Sequence, residues 1–239
     1  MLELGQIWVY LAAEPLLWLT VTLAIFIAAL WLNRRLNGHP MAHPVLLAML
    51  ALIALLLATG TRYDVYFEGA QFIHFLLGPA TVALALPLYE NLRQIRRLWL
   101  LLLLSCLVGV SAAAGSAVGL AWLAGADSQT LLSVAPKSVT TPIAMGIAEQ
   151  IGGLPSLAAG IVLLTGAVGA VAAGPLFRLA GIRDARAQGF ALGIAAHGFG
   201  TAQALGISRR AGAFAGLGLG MAGLLTAFLL PLAVQLFTR

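Results

Sequence analysis

Of the 239 residues, 61% are hydrophobic and only 9% charged, and the mean hydropathy is +1.00. A soluble domain of this length carries about 25% charged residues, so a water-soluble globular fold is excluded. The formal net charge of +5 comes from arginines set between apolar blocks and not interleaved with aromatics. That excludes a nucleic-acid surface and reads instead as a topology signal of short membrane loops.

The blocks are continuous and approach the ~20 residues needed to cross a bilayer, unlike the alternating strands of about 10 residues in a membrane barrel. An all-α polytopic membrane protein is predicted, forming a single integral domain over residues 1–239. In chain order the blocks are Leu16–Leu32, Val45–Thr59, Gly69–Tyr89, Leu98–Ala124, Leu131–Ile151, Leu154–Leu179, Gly189–Leu205 and Ala211–Phe237. This gives about seven or eight segments, the first of which directs insertion, because no basic stretch with a cleavage site precedes it. Trp99 and Trp122 bracket the fourth block 23 residues apart, about 34 Å along a helix, which matches the bilayer.

Charge placement puts Arg34–Arg35 and Arg93–Arg97 inside, and Asp64, Glu68 and Asp127 outside. Beyond that the rule conflicts with itself. If Leu131–Ile151 crosses fully, the Arg178–Arg186 loop falls outside; if it is re-entrant, Arg209 and Arg210 face outward instead. At least one block is therefore expected not to be a simple span.

Two blocks are interrupted. The third contains Gly78-Pro79 and then Pro87; the fifth contains Pro136 and then Pro142. Both share P-x-x-V and a glutamate near the end, Glu90 and Glu149, in the manner of an internal repeat. Proline removes a helix hydrogen bond and clashes with the preceding turn. Paired broken helices point to a transporter site built from half-helix ends. Two or three proline- or glycine-broken or re-entrant helices are expected, the last at Gly198 and Gly200. Small residues at every fourth position, Gly166-Ala170-Gly174 and Gly212-Gly216-Gly220, predict close helix packing.

Lys137 is the only lysine and lies beside the Pro136 break. An ammonium at membrane depth is costly, but a broken helix gives it a gap to occupy. Ser138, Thr140 and Thr141 follow, and Pro142 is a favourable first-turn residue for the next half-helix. Cation, hydroxyls and free N–H groups of a helix start form a site for a carboxylate. His197 and Thr201, in "AAHGFGT", are further candidate substrate-binding residues. Glu149 and His197 are the candidates for proton coupling. No second ligand lies at metal spacing from His197, no cofactor is expected, and no nucleophile elbow supports an enzyme. Cys106 stands alone and reads as a small buried hydrophobe.

The stretch "PKSVTTPIAMGIAEQIGGLPSLAAGIVLLTGAVGA", with "ARAQGFALGIAAHGFGTAQAL" and "GPATVALALPLYENL", resembles the LrgB/CidB family of bacterial inner-membrane proteins. The "HGFGTAQ" details depart from the "SHALGTAKA"-like form associated with that family. The resemblance implies carriage of small 2-hydroxy or 2-oxo acids of the glycolate, glycerate, lactate or pyruvate class. It also implies the other label attached to the family, a holin- or antiholin-like regulator of murein hydrolase export and autolysis. The expected partners are a small carboxylate, the lipid bilayer, an LrgA-type membrane subunit and further copies of the chain.

Overall fold

The structure, a computed structural model, describes residues 15–36, 42–76, 79, 82 and 85–237. It divides into two compact units, residues 1–83 and 84–239. Every regular element among the described residues is a helix.

In the first unit α1 (Pro15–Arg35) packs against α2 (Pro44–Thr59) and α3 (Tyr63–Phe75). Trp18 is its fully buried anchor, meeting the edge of Tyr66 at 5.7 Å between ring centroids. Thr22 Oγ1, which donates to the Trp18 carbonyl, stands 3.3 Å from the Tyr66 hydroxyl. Gly60 ends α2 at φ 65, a left-handed cap that returns its N–H to Leu56 and Leu57. At the basic end of α1 the Arg35 guanidinium lies 4.7 Å over the Trp31 ring.

The second unit holds α4 (Ala85–Glu90), α5 (Leu92–Leu123), α6 (Ser128–Val134), α7 (Thr141–Ile151), α8 (Pro155–Leu179), α9 (Ala185–Ile207) and α10 (Arg209–Phe237). By length and apolarity the stretches able to cross a membrane are Leu16–Arg35, Leu92–Leu123, Pro155–Leu179, Ala185–Ile207 and Arg209–Leu236. The expected seven or eight segments therefore reduce to five such helices among the described residues. The second block is a helix of 16 residues, short of a span. Part of the third block, with Gly78, lies outside the described residues, as do the immediate neighbours of Pro79, so that interruption stays an expectation. The fifth block is not one helix: α6 and α7 are separated by a turn over residues 135–140.

Two segments of this unit fold back on themselves. In the first, the Leu154 amide, just past α7, donates to Ser133 Oγ at 2.7 Å, near the end of α6. A Cβ on Gly153 would come within 2.9 Å of the Ser133 amide nitrogen. The chain leaves Ser133, turns at 135–140 and returns along α7 to its starting level. In the second, α9 is broken at Ala196 (φ −128, ψ 16) and His197 (φ 40, ψ −123). Residues eight apart in a straight helix are about 12 Å apart along the axis, yet a Cβ on Gly200 would lie 2.1 Å from the Leu192 carbonyl oxygen. The two halves of α9 thus pack side by side, and α10 starts next to the first half.

Small residues make these reversals possible. Ideal Cβ atoms on Gly189 and Gly193 would sit 2.0 and 2.1 Å from the Ala211 and Ala215 carbonyls, so α9 and α10 run backbone against backbone. Ala211, Ala213 and Ala215 are essentially inaccessible. This Gly189/Gly193 strip was not singled out in the sequence; of the strips that were, Gly166 and Ala170 are buried, whereas Gly220 has open space around it. Leu102, Cys106 and Val110 of α5 cluster with Phe190 and Ile194 of α9 and Phe214 and Ala222 of α10.

Gly193→Val is expected to destabilise the protein by about 1–3 kcal/mol through overpacking, read as a lower thermal midpoint in detergent. Gly220→Ala, with no atom within 4 Å of the added methyl, lies inside α10 and raises the midpoint, by the equivalent of up to about 1 kcal/mol of helix propensity. Equal midpoints would contradict the close approach of α9 and α10.

Candidate functional site

The first break is built locally. Asp127 caps α6 by accepting from the Thr130 amide at 3.0 Å, and its hydrogen bonds with Thr130 hold the carboxyl below the usual carboxylate range. Pro136, fully buried and without an N–H, stops the helix. Two tight bonds, Lys137 N to the Val134 carbonyl at 3.2 Å and Val139 N to the Pro136 carbonyl at 3.3 Å, carry the chain through the turn. Thr140 adopts extended geometry as the N-cap of α7 without a side-chain capping bond, and Pro142 occupies its first turn.

The second break is strained. His197 is the described non-glycine residue with positive φ, a conformation that requires tertiary support. That support is visible: His197 is 4% exposed, and its Nε2 lies 3.0 Å from the Val162 carbonyl of α8. A carbonyl only accepts, so Nε2 carries a proton and donates it to Val162. The ring fits because residue 166 is glycine; a Cβ there would be 2.7 Å from the imidazole. The break falls at Ala196–His197, just ahead of the expected Gly198 and Gly200. Gly200 instead provides the close approach to Leu192, and Gly198 meets nothing within 4 Å.

Both breaks reach the middle of α8. Val139 and Ala144 cluster with Ala158 and Val162 on one side, while Ala196 and His197 press on Gly169 and Gly166. Between them lies an open cavity of ≈ 370 Å³ lined by Lys137, Ile161, Leu164, Thr165, Val168, Gly169 and Ala195, with the exposed Leu164 and Val168 at its mouth. Lys137 Nζ makes one long contact, 3.4 Å to Ser138 Oγ, and no carboxylate pairs with it among the described residues.

The remaining sequence candidates are distributed unevenly around this cavity. Ser138 is buried beside the lysine. Thr140 and Thr141 are half-buried at the start of α7 and do not line the cavity. Thr201 Oγ1 donates to the His197 carbonyl at 2.9 Å, and so stabilises the restarted half-helix. Glu149 is exposed, eight residues along α7 from Thr141, about 12 Å from the break. Thr165, Gly166 and Gly169 of α8 are the site residues that sequence reasoning did not assign; the Gly166 repeat was noted only as a packing strip. Among the described residues no group of His, Cys, Asp and Glu could hold a metal.

A helical membrane protein with a cationic cavity at two helix breaks is the class that fold and site define. The LrgB-like family profile matches residues 22–236, and the chain belongs to that family. It is 37% identical over 218 residues to the protein YxaC of Bacillus subtilis, covering 91% of this chain and 94% of that one. It is 28% identical over 224 residues to a protein of Staphylococcus epidermidis named holin-like protein CidB, covering 94% and 97%. A Haemophilus influenzae protein is 34% identical over 190 residues, covering 80% and 82%. No solved structure matches.

In an ordinary helix interior alanine is better than glycine by about 1 kcal/mol. At position 197 the order is expected to reverse, with His197→Gly more stable than His197→Ala by about 1 kcal/mol, because only glycine relieves the positive φ. Thermal midpoints of the two variants decide; the ordinary order would mean that the helix is unbroken there.

Proposed function

We propose that the chain is a multi-pass carrier of small monocarboxylates, of the glycolate, glycerate, lactate or pyruvate class, in the bacterial inner membrane. The observation that carries the reading is the cavity at mid-α8, where the only lysine of the sequence stands without a carboxylate partner among the described residues. A carboxylate bound there supplies the missing counter-charge, and Thr165 offers a hydroxyl to the polar 2-substituent. The starts of α7 and of the second half of α9 add the positive ends of two helix dipoles.

Charge placement supports the same reading. With residues 128–151 and 185–207 both re-entrant, α5, α8 and α10 are the spans of this unit. Arg93–Arg97, Arg178–Arg186 and Arg209–Arg210 then share one side, which the positive-inside rule makes cytoplasmic. Asp127 and Glu149 share the other. Making either segment a full span moves at least one arginine cluster outward. The two re-entrant segments enter from opposite sides and meet near the bilayer midplane, so each guards one route to Lys137. Alternating access is then the opening of one segment while the other stays closed. The site binds its ligand without transforming it.

The relatives named holin-like favour a second reading, a holin-like membrane protein acting in murein hydrolase export and autolysis. Counterflow of labelled glycolate in proteoliposomes separates the two. A carrier shows trans-stimulated exchange and retains trapped dye, whereas dye and ion leakage without trans-stimulation sinks the carrier reading. Lys137→Ala is expected to abolish exchange while the thermal midpoint stays near that of the parent protein; unchanged exchange would remove the lysine from the site. An LrgA-type subunit and self-association belong to this proposal as its partners.

A further inference from the structure

A second cavity, of ≈ 590 Å³, lies at the foot of α9, beside the last turn of α8. Its lining includes Arg178, Arg183, Gln188 and Gln203, with Gly174 and Phe177 of α8. It begins about 8 Å farther along α8 than the Lys137 cavity, taking Gly169 and Gly174 as the nearest edges.

The chemistry of this lining is specific. The neighbouring carboxylate, Asp184, is held by Arg186 through bonds of 3.0 and 3.1 Å to Nε. The Arg186 guanidinium holds that carboxyl well below the usual range. Asp184 is therefore engaged elsewhere, and Arg178 and Arg183 form no ion pair among the described residues. Gln188 is fixed by donating to the Ile182 carbonyl at 2.8 Å. Gln203 Oε1 is buried and has no hydrogen-bond donor among the described residues, a deficit that a ligand hydroxyl would meet. Two unpaired guanidiniums beside an unsatisfied acceptor match one ligand type, a carboxylate with a hydroxyl on the adjacent carbon.

We infer that this cavity is a second binding station for small 2-hydroxy carboxylates, a cytoplasmic vestibule that feeds the Lys137 cavity. The inference rests on the carrier reading. The arginines attract the acid and align it, and the fold-back of α9 separates this station from the deeper one. Transfer between the two requires only that the α9 segment shift away from α8; no covalent step is involved.

The test uses labelled L-lactate, bound to the full-length protein in phosphatidylcholine nanodiscs and exchanged in liposomes. Lys137→Ala is expected to keep a salt-sensitive class of lactate binding, which disappears when Arg178→Gln and Arg183→Gln are added. With Lys137 intact, the two arginine substitutions raise KM on the arginine-bearing side several-fold and leave kcat unchanged. Both arginines are exposed, so folding is not at stake. Gln203→Leu removes the preference for lactate over propionate at this station. Absence of lactate binding by Lys137→Ala, or an unchanged KM in the arginine variant, overturns the vestibule while parent exchange still upholds the carrier. Absence of exchange by the parent protein overturns the carrier instead. Displacement of lactate by phosphatidylglycerol in Lys137→Ala would assign the cavity to a lipid headgroup and also overturn the inference.

Discussion

A bilayer interior has no water to take up a free N–H or carbonyl, so a chain can leave helical geometry there only where protein covers the gap. That constraint organises the second unit. Its two interruptions, at 135–140 and at Ala196–His197, both lie against the middle of α8. Each is closed by its own bonds: the tight pair around Pro136 in one, His197 to Val162 and Thr201 to His197 in the other. The covering helix must come very near, and Gly166 and Gly169 are what allow it.

The same closeness explains why hydrophobic attraction is not the main organising force. Lipid tails are as apolar as leucine, so helices in a membrane associate through van der Waals contact between small residues. Here Gly189 and Gly193 let α9 meet the backbone of α10. Large apolar side chains, such as Leu120, Leu224 and Phe228, stay exposed on the outer surface, where lipid solvates them. Alanine is the commonest buried apolar residue, joined by Leu102, Val110, Phe190, Ile194 and Phe214 where α5, α9 and α10 meet, while many leucines face outward.

Against this background Lys137 is the exception that gives the site its chemistry. It remains half-buried beside Ser138, with Ile161, Leu164 and Val168 as apolar walls. A cation among such neighbours is tolerable when a ligand completes it and unfavourable when nothing does. The strained His197 stands on the facing segment, where it presses on Gly166 of α8. Strain of this kind persists where surrounding contacts over-determine it, and Val162 supplies one of those contacts. Membership of the LrgB-like family sets the chain beside bacterial relatives, among them one named holin-like.

Composition and proline placement alone made much of this legible. Long apolar runs can only be helices in lipid, and Pro136 cannot sit inside one without breaking it, so the membrane class, the break and the oddity of Lys137 were readable residue by residue. The arginine clusters were already at odds with a simple count of spans. What the sequence could not reveal is that residues 128–151 and 185–207 each turn back, because a reversal is recorded in contacts such as Leu154 with Ser133 and Gly200 with Leu192, far from any local propensity. Nor could it show that the second break falls on Ala196 and His197 and not on the glycines beside them. A non-glycine residue takes positive φ only when its neighbours in space hold it there, and α8, thirty-five residues earlier at Val162, is the neighbour that does.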